Sequence, residues 1–188
     1  MNTATHLLVS GAVLTRRGET AQNIAAVAGA LIPDLYIYGV WIWSKLVGIA
    51  ERAMWRDVYW TDPVQLMSAL SNSVPLYAVL LAIGLLVRRP WLRVFVVSAL
   101  LHLALDFPFH HGDAHAHFWP FTGWRFLSPL SYWNATHHAQ WVGLAELGLV
   151  ALCAAVLWRR FTLRRIRAAV VVGVLAYFVP RLYFTLAI

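Results

Sequence analysis

The chain has 188 residues, of which 61% are hydrophobic and only 12% are charged. Soluble domains carry roughly 25% charged residues, so this composition excludes an ordinary soluble domain and favours an integral membrane protein. The net charge of +7 comes mostly from arginines beside apolar runs, without the basic stripe that is typical of nucleic-acid-binding proteins. We therefore expect the chain to contact a lipid bilayer and no nucleic acid.

The apolar segments predict an all-α fold, a polytopic membrane helix bundle of about six helices that forms one integral membrane domain over residues 1–188. In chain order the helices span about residues 3–15, 21–33, 74–87, 91–106, 141–158 and 168–187. Segments 35–72 and 107–140 are too polar to cross a bilayer but rich in tryptophan. We expect both segments to lie at the outer interface, as helical insertions and loops.

Three groups of arginines set the expected orientation of the helices. They follow the first helix, separate the third from the fourth, and separate the fifth from the sixth. The groups are Arg16 and Arg17, then Arg88, Arg89 and Arg93, then Arg159, Arg160, Arg164, Arg165 and Arg167. Lys and Arg that flank membrane spans stay on the cytoplasmic side. The sequence thus predicts a multi-pass protein of the bacterial inner (cytoplasmic) membrane, with the opposite helix ends facing the periplasm.

Histidines and aspartates gather at those periplasmic helix ends. His6 begins the first helix, and Asp34 ends the second. His102 and Asp106 end the fourth. All eight histidines of the chain reach this one membrane face, although the arginines alone set the orientation. The candidate metal ligands are His6, Asp34, His102, Asp106, His110, His111, His137 and His138.

The pair His102 and Asp106 carries the metal hypothesis. Residues four apart share one face of a helix, about 6 Å from each other, which suits two ligands of one cation. Pro108 predicts that the helix ends near Asp106, so the negative end of the helix dipole faces the same cation. Imidazole with carboxylate favours zinc, and manganese or iron where carboxylates dominate.

Each candidate also has a structural interpretation. A single histidine such as His6 near a chain start is typical of a helix cap, and Asp34 after Pro33 is typical of a turn. The histidines of segment 107–140 are also typical of a solvated loop. Ionisable groups inside an apolar segment are different, because they are costly at membrane depth and usually functional.

Two carboxylates are the candidate catalytic residues, Asp106 and Glu146, with Asp113 as an alternative base. Glu146 lies six residues into the predicted fifth helix. Two other roles for it remain open, since it could hold a ligand imidazole in place or pair with Arg125.

Several short motifs resemble the membrane-bound metal-dependent hydrolase family, inner-membrane proteins distantly similar to zinc-dependent phospholipase C. The motifs are THLLVSGAVL with His6, GALIPDL with Asp34, HLALDFPFH with His102 and Asp106, and the following FWPF. The resemblance covers most of the chain. It implies a helical membrane protein with a polynuclear metal centre built from those four residues.

One departure from that family concerns the start of the third helix. The family carries a His-Arg-x-x-Thr-His-Ser segment there, whereas this chain reads SALSNSVPLY, with Asn72 and Ser73 but no histidine. Three explanations remain open: substitution by other histidines, a single metal, or loss of catalysis. The substitutes would be His110, His111, His137 or His138.

A second likeness is to small bacterial membrane proteins sometimes labelled for cobalamin biosynthesis, through HLALDFPFHH, HFWP and SPLSYW. That label would require an amidotransferase with a nucleophilic cysteine. Cys153 lies inside the predicted fifth helix and cannot serve as one.

Three functions follow as expectations. The first is a metal-dependent hydrolase that acts at the outer interface on an ester or phosphoester of an amphiphilic substrate. The second is a non-catalytic membrane subunit, or a metal-binding accessory protein, with membrane protein partners. The third is haem binding, with His102 and a loop histidine as axial ligands.

Overall fold

The computed structural model describes the backbone of residues 1–187 and the side chains of residues 1–180 and 182. This part of the chain is helical and contains no strand, so the predicted all-α class is confirmed. The helices are α1 (Thr3–Leu14), α2 (Thr20–Leu46), α3 (Glu51–Arg56), α4 (Asp62–Ser71), α5 (Val74–Leu86), α6 (Pro90–Asp106), α7 (Ala139–Arg160) and α8 (Arg164–Ala187). Short 3-10 turns occupy Val58–Trp60, Phe107–Phe109 and Ala135–His137.

Polar caps and prolines define where several helices begin. The side chain of Asn2 accepts a hydrogen bond from the Ala4 N–H at the start of α1, and Ser73 does the same for Leu76 in α5. These caps satisfy backbone donors that the first turn of a helix leaves free. Pro90 opens α6, where its missing N–H costs nothing.

Helix α2 is longer than the sequence predicts. It continues through Pro33 to Leu46, so the expectation that it ends at Pro33 is wrong, and Asp34 lies in its middle. Proline removes one backbone hydrogen bond, and packing on both sides of this point stabilises the helix against that loss. On the N-terminal side, a Cβ on Gly29 would lie 2.1 Å from the Phe95 carbonyl oxygen, which shows how closely α2 approaches α6.

The C-terminal half of α2 packs against a cap that consists of α3, α4 and the turn between them. Val40 of α2 lies in a buried cluster with Met54, Tyr59 and Val64. Residues 35–46 are thus helical, where the sequence predicted the start of an interfacial insertion.

The rest of the core lies between the long helices. Residues of α1, α7 and α8 form the largest apolar cluster, which includes Leu8, Val150, Leu157 and Tyr177. Helices α5 and α6 form another, around Val96 and Leu103.

Four helical stretches of the described residues are long and apolar enough to cross a membrane, namely Thr20–Leu46, Asp62–Leu86, Pro90–Phe109 and Ala139–Arg160. The second of these joins α4 to α5, so it begins twelve residues before the predicted third helix. Helix α1 has 12 residues and a rise of about 18 Å, too short for a span of about 30 Å.

The segment between α6 and α7 folds back over the ends of α5 and α6. Val74 N–H at the start of α5 donates to the His117 carbonyl (2.9 Å), and within the segment Ser128 N–H donates to the His110 carbonyl (3.0 Å). The first bond ties the histidine-rich stretch to a helix end, and the second fixes its own fold.

Candidate metal centre

Three helices bring four of the predicted ligands together. His6 lies in the first turns of α1, Asp34 in the middle of α2, and His102 with Asp106 at the end of α6. The side chains of both histidines are fully buried, and that of Asp106 is 3% exposed. Asp34 is more open, at 20%. The structure therefore places these four side chains in one buried polar cluster.

Asp106 lies at the centre of the cluster. Its Oδ1 is 3.0 Å from His6 Nε2, and its Oδ2 is 3.1 Å from His102 Nε2. On the other side, His102 Nε2 is 3.4 Å from Asp34 Oδ1. His6, His102 and Asp106 each offer one ligand atom, and these three atoms lie within 4.8 Å of one another, close enough to hold one metal ion. We call these three residues the first triad.

The orientation of His102 fits metal ligation. Its Nδ1–H donates to the Ala30 carbonyl at 2.7 Å, so Nε2 is the nitrogen available to a metal or to a second proton. In the part of the chain that the structure describes, that Nε2 is buried and has no hydrogen-bond partner, although it lies within ion-pair distance of two carboxylates. Leaving a buried polar atom unpaired is costly. A ligating histidine commonly donates its other N–H to a carbonyl, which is the arrangement found here.

The rings of His6 and His102 stack on each other. Their centroids are 3.4 Å apart and their planes differ by 8°. Two buried rings at this separation would repel strongly if both were protonated, so at most one of them is charged in the metal-free protein. The neutral form of imidazole is the one that binds metals.

A second triad shares Asp106 with the first and adds two loop histidines, His110 and His115. His110 Nε2 lies 3.5 Å from Asp106 Oδ1, and its Nδ1 lies 2.8 Å from Asp113 Oδ2. The α-amino group of Met1 also contacts Asp106 and lies 3.3 Å from His110 Nε2. The sequence predicts His110 as a ligand, whereas it predicts His115 only as a loop residue.

The two histidines of the second triad differ in charge state. Burial and the nearby His110 lower the pKa of His115 to about 3, so it is neutral. Burial and the Met1 amine also lower the pKa of His110, but the carboxylates of Asp106 and Asp113 outweigh them and raise it to about 9. A positive His110 thus balances the carboxylates in the metal-free protein.

His115 and His117 lie at the junction between α4 and α5. Ser68 Oγ and His115 Nδ1 are 3.0 Å apart, and His117 Nδ1–H donates to the Asn72 carbonyl at 3.1 Å. The resemblance to the hydrolase family predicts a histidine motif near Asn72. The loop therefore brings histidines to a junction whose own sequence has none.

Besides Asp34, which lies beside the first triad, three predicted ligands lie outside both triads: His111, His137 and His138. The Nδ1–H of His111 donates to the Ser128 carbonyl at 2.8 Å, and its ring stacks on His137 with centroids 3.6 Å apart. His138 has a positive φ of 63° at the start of α7 and is exposed. The expected gathering of all histidines at one site is therefore only partial, because the loop backbone turns these rings away from Asp106.

Glu146 is also outside both triads. It accepts hydrogen bonds from the Asn2 N–H and the Thr5 hydroxyl, both at 2.8 Å. Pairing with Arg125 is not found, since that guanidinium donates to Gln65 at 2.8 Å. Glu146 thus holds the first turn of α1, the helix that carries His6.

Comparisons with known proteins found no matching family model, no matching curated protein and no matching solved structure. The resemblance to membrane-bound metal-dependent hydrolases therefore remains a prediction from short motifs.

Proposed function

We propose that the protein is a membrane-embedded metal-dependent hydrolase that cleaves an ester or phosphoester of an amphiphilic substrate. The observation that carries this proposal is the setting of His102. One of its nitrogens is held by the Ala30 carbonyl, and the other is buried without a hydrogen-bond partner between two carboxylates. A divalent cation would satisfy that nitrogen and both carboxylates at once.

The depth of the first triad favours an amphiphilic substrate. At 1.5 Å of rise per residue, His6 lies about 15 Å from Arg16, and His102 lies about 20 Å from Arg89. If those arginines lie at the cytoplasmic headgroups, the triad falls within a hydrocarbon core of about 30 Å. A substrate that reaches this depth needs an apolar part, and its cleavable group must be polar.

The ligands favour zinc. Two imidazoles with carboxylate oxygens form a common catalytic zinc set, and a larger share of carboxylates would favour manganese or iron. When bound, the cation would polarise the ester or phosphoester oxygen and make a water molecule more acidic.

Among the carboxylates of this cluster, Asp34 is best placed to accept a proton. Asp106 is buried between imidazoles, whereas the side chain of Asp34 is 20% exposed. Thr3 donates a hydrogen bond to Asp34, and the Tyr38 hydroxyl donates to Thr3 at 2.9 Å. Tyr38 is 42% exposed, so this chain of hydroxyls connects Asp34 with the surface and provides a route for the proton.

The test compares two histidines of the same chain, His102 and His137. We expect elemental analysis of detergent-purified protein to find at least one bound zinc in the wild type and in His137→Ala. His102→Ala should lose the metal and lower the hydrolysis of micellar phosphodiester and ester substrates by at least about 100-fold, since a ligand should matter more than the groups that orient it. Full metal content and full activity in His102→Ala would overturn the proposal.

One observation favours a second function, a structural metal site in a non-catalytic subunit. The side chains of the first triad are at most 3% exposed, and closed zinc sites are typical of structural roles. In that case His102→Ala would lose the metal and its thermal stability, while the wild type would hydrolyse neither substrate and would co-purify with a membrane partner.

Haem ligation by His102 does not fit these distances. Carboxylate oxygens lie 3.1 and 3.4 Å from its Nε2, and the His6 ring covers its face at 3.4 Å. A porphyrin bound at Nε2 would overlap these groups.

A further inference from the structure

A second polar site lies at the opposite, arginine-rich end of the bundle. It is a cleft of about 340 Å³ between the turn that links α1 to α2 and the start of α6. The lining residues are Arg16, Glu19, Gln22, Pro90, Arg93 and Val94. We call it the arginine cleft.

Arginines elsewhere on this face are engaged with the backbone. Arg160 donates to the Thr15 carbonyl at 2.7 Å and so caps the end of α1. Arg167 donates to the Phe161 carbonyl at 3.1 Å, beyond the end of α7. Arg160 and Arg167 therefore have structural roles.

The two arginines of the cleft are different. Arg93 Nε is buried and has no hydrogen-bond partner. The backbone of Arg16 is held by the Asn23 side chain, through bonds of 2.9 and 2.7 Å. Within the described part of the chain, its guanidinium makes no hydrogen bond or ion pair. Among the described residues, no carboxylate forms an ion pair with either guanidinium of the cleft.

Two long helices also begin at this cleft. Glu19 is the N-cap of α2, and Arg89 is the N-cap of α6, yet neither helix has a side-chain capping hydrogen bond. The first turns therefore leave backbone N–H groups free, and the positive ends of both helix dipoles face the cleft. Helix starts of this kind bind anions, above all phosphate.

We propose that the arginine cleft binds a phosphate group, carried by a phospholipid headgroup or present as inorganic phosphate. The planar fork of a guanidinium matches phosphate oxygens, and a phosphate would neutralise the charge of Arg16 and Arg93. The cleft lies beside apolar Val94, on the face where cytoplasmic headgroups are expected. Glu19 is the one lining carboxylate, and it opposes the positive charge only in part. This site is independent of the metal centre.

The experiment measures binding to full-length protein in a neutral detergent. The probes are a fluorescent short-chain phosphatidylglycerol, the matching diacylglycerol without phosphate, and inorganic phosphate as a competitor. We expect Arg16→Gln with Arg93→Gln to weaken binding of the phospholipid by at least about tenfold, as charge-assisted bonds to phosphate are lost. Glu19→Gln should strengthen it.

The matched control is Arg164→Gln with Arg165→Gln, which removes the same two charges from exposed positions on the same face. It should change binding less than about twofold, because exposed charges are screened. Equal weakening in the control, or equal binding of diacylglycerol, would overturn the proposal. Competition by inorganic phosphate would identify free phosphate as a ligand, and its failure would identify the lipid. Unchanged elution volume and metal content show that the variants are folded.

Discussion

Two pairs of histidines stack in this protein, and their surroundings differ. His6 and His102 stack at 3.4 Å, and His111 and His137 at 3.6 Å. The first pair is fully buried and faces two carboxylates, and its Nε2 atoms point at Asp106. The second pair is half-buried, and neither of its rings forms an ion pair with a carboxylate in the described part of the chain. Close imidazoles alone therefore do not make a metal centre; carboxylates and burial distinguish the first pair.

The strongest test of this comparison removes the charge of Asp106, which the first stacked pair contacts and the second does not. Asp106→Asn keeps the side-chain shape but loses the anion shared by both triads. We expect metal affinity to fall by more than about 100-fold, because a neutral amide is a poor ligand for a divalent cation. Elemental analysis and a competition titration with a chelator would measure this.

The control for that variant is Asp113→Asn, which changes a carboxylate that contacts only His110 among the histidines. Its effect on metal affinity should be about tenfold or less, as for a group that orients a ligand. Equal losses in the two variants would show that total charge, rather than the position of Asp106, determines binding.

A smaller effect is expected at Glu146. This residue fixes the first turn of helix α1, which carries His6 of the first stacked pair. Glu146→Leu leaves the Asn2 N–H and the Thr5 hydroxyl without their partner, so we expect about a tenfold loss of metal affinity. Glu146→Gln should restore most of the affinity and activity, because its amide oxygen accepts both bonds. If Glu146 is the catalytic acid or base that the sequence predicts, Glu146→Gln will instead abolish activity while metal content stays normal.

The last expected effect concerns stability rather than metal binding, and it depends on pH. The pKa of His110 in the metal-free protein is raised to about 9, from an ordinary value of 6.5. A protonated His110 stabilises the fold fully below pH 6.5, and this contribution is lost as the pH rises through about 9. We expect the Tm of the chelated protein to fall by ~9 °C over that range.

His110→Gln is the control for the pH effect, because it cannot carry the charge. Its Tm should depend less on pH than that of the wild type, by about the amount that His110 contributes. Identical pH profiles for the two proteins would contradict the role of His110 as the balancing charge. Circular dichroism melting in detergent would measure both.

The helical class and part of the site could be predicted from local sequence. The spacing of His102 and Asp106 by four residues places them on one face of any helix. The arginine groups orient the apolar segments, which brings His6 near that pair. The path of α2 could not be predicted this way, because Pro33 and Asp34 have the local pattern of a helix end. Packing of α2 on α6 and on the cap keeps it helical, and that packing involves residues distant in sequence.

Two neighbouring histidines show what local sequence cannot predict. His110 and His111 are adjacent and chemically identical, yet one faces Asp106 and the other bonds to the Ser128 carbonyl. By itself, the sequence determined an apolar helical chain with imidazoles and carboxylates at one end and arginines at the other. Only the tertiary structure decided which of those groups meet, because each contact depends on loop backbone bonds and helix packing between residues far apart in the chain.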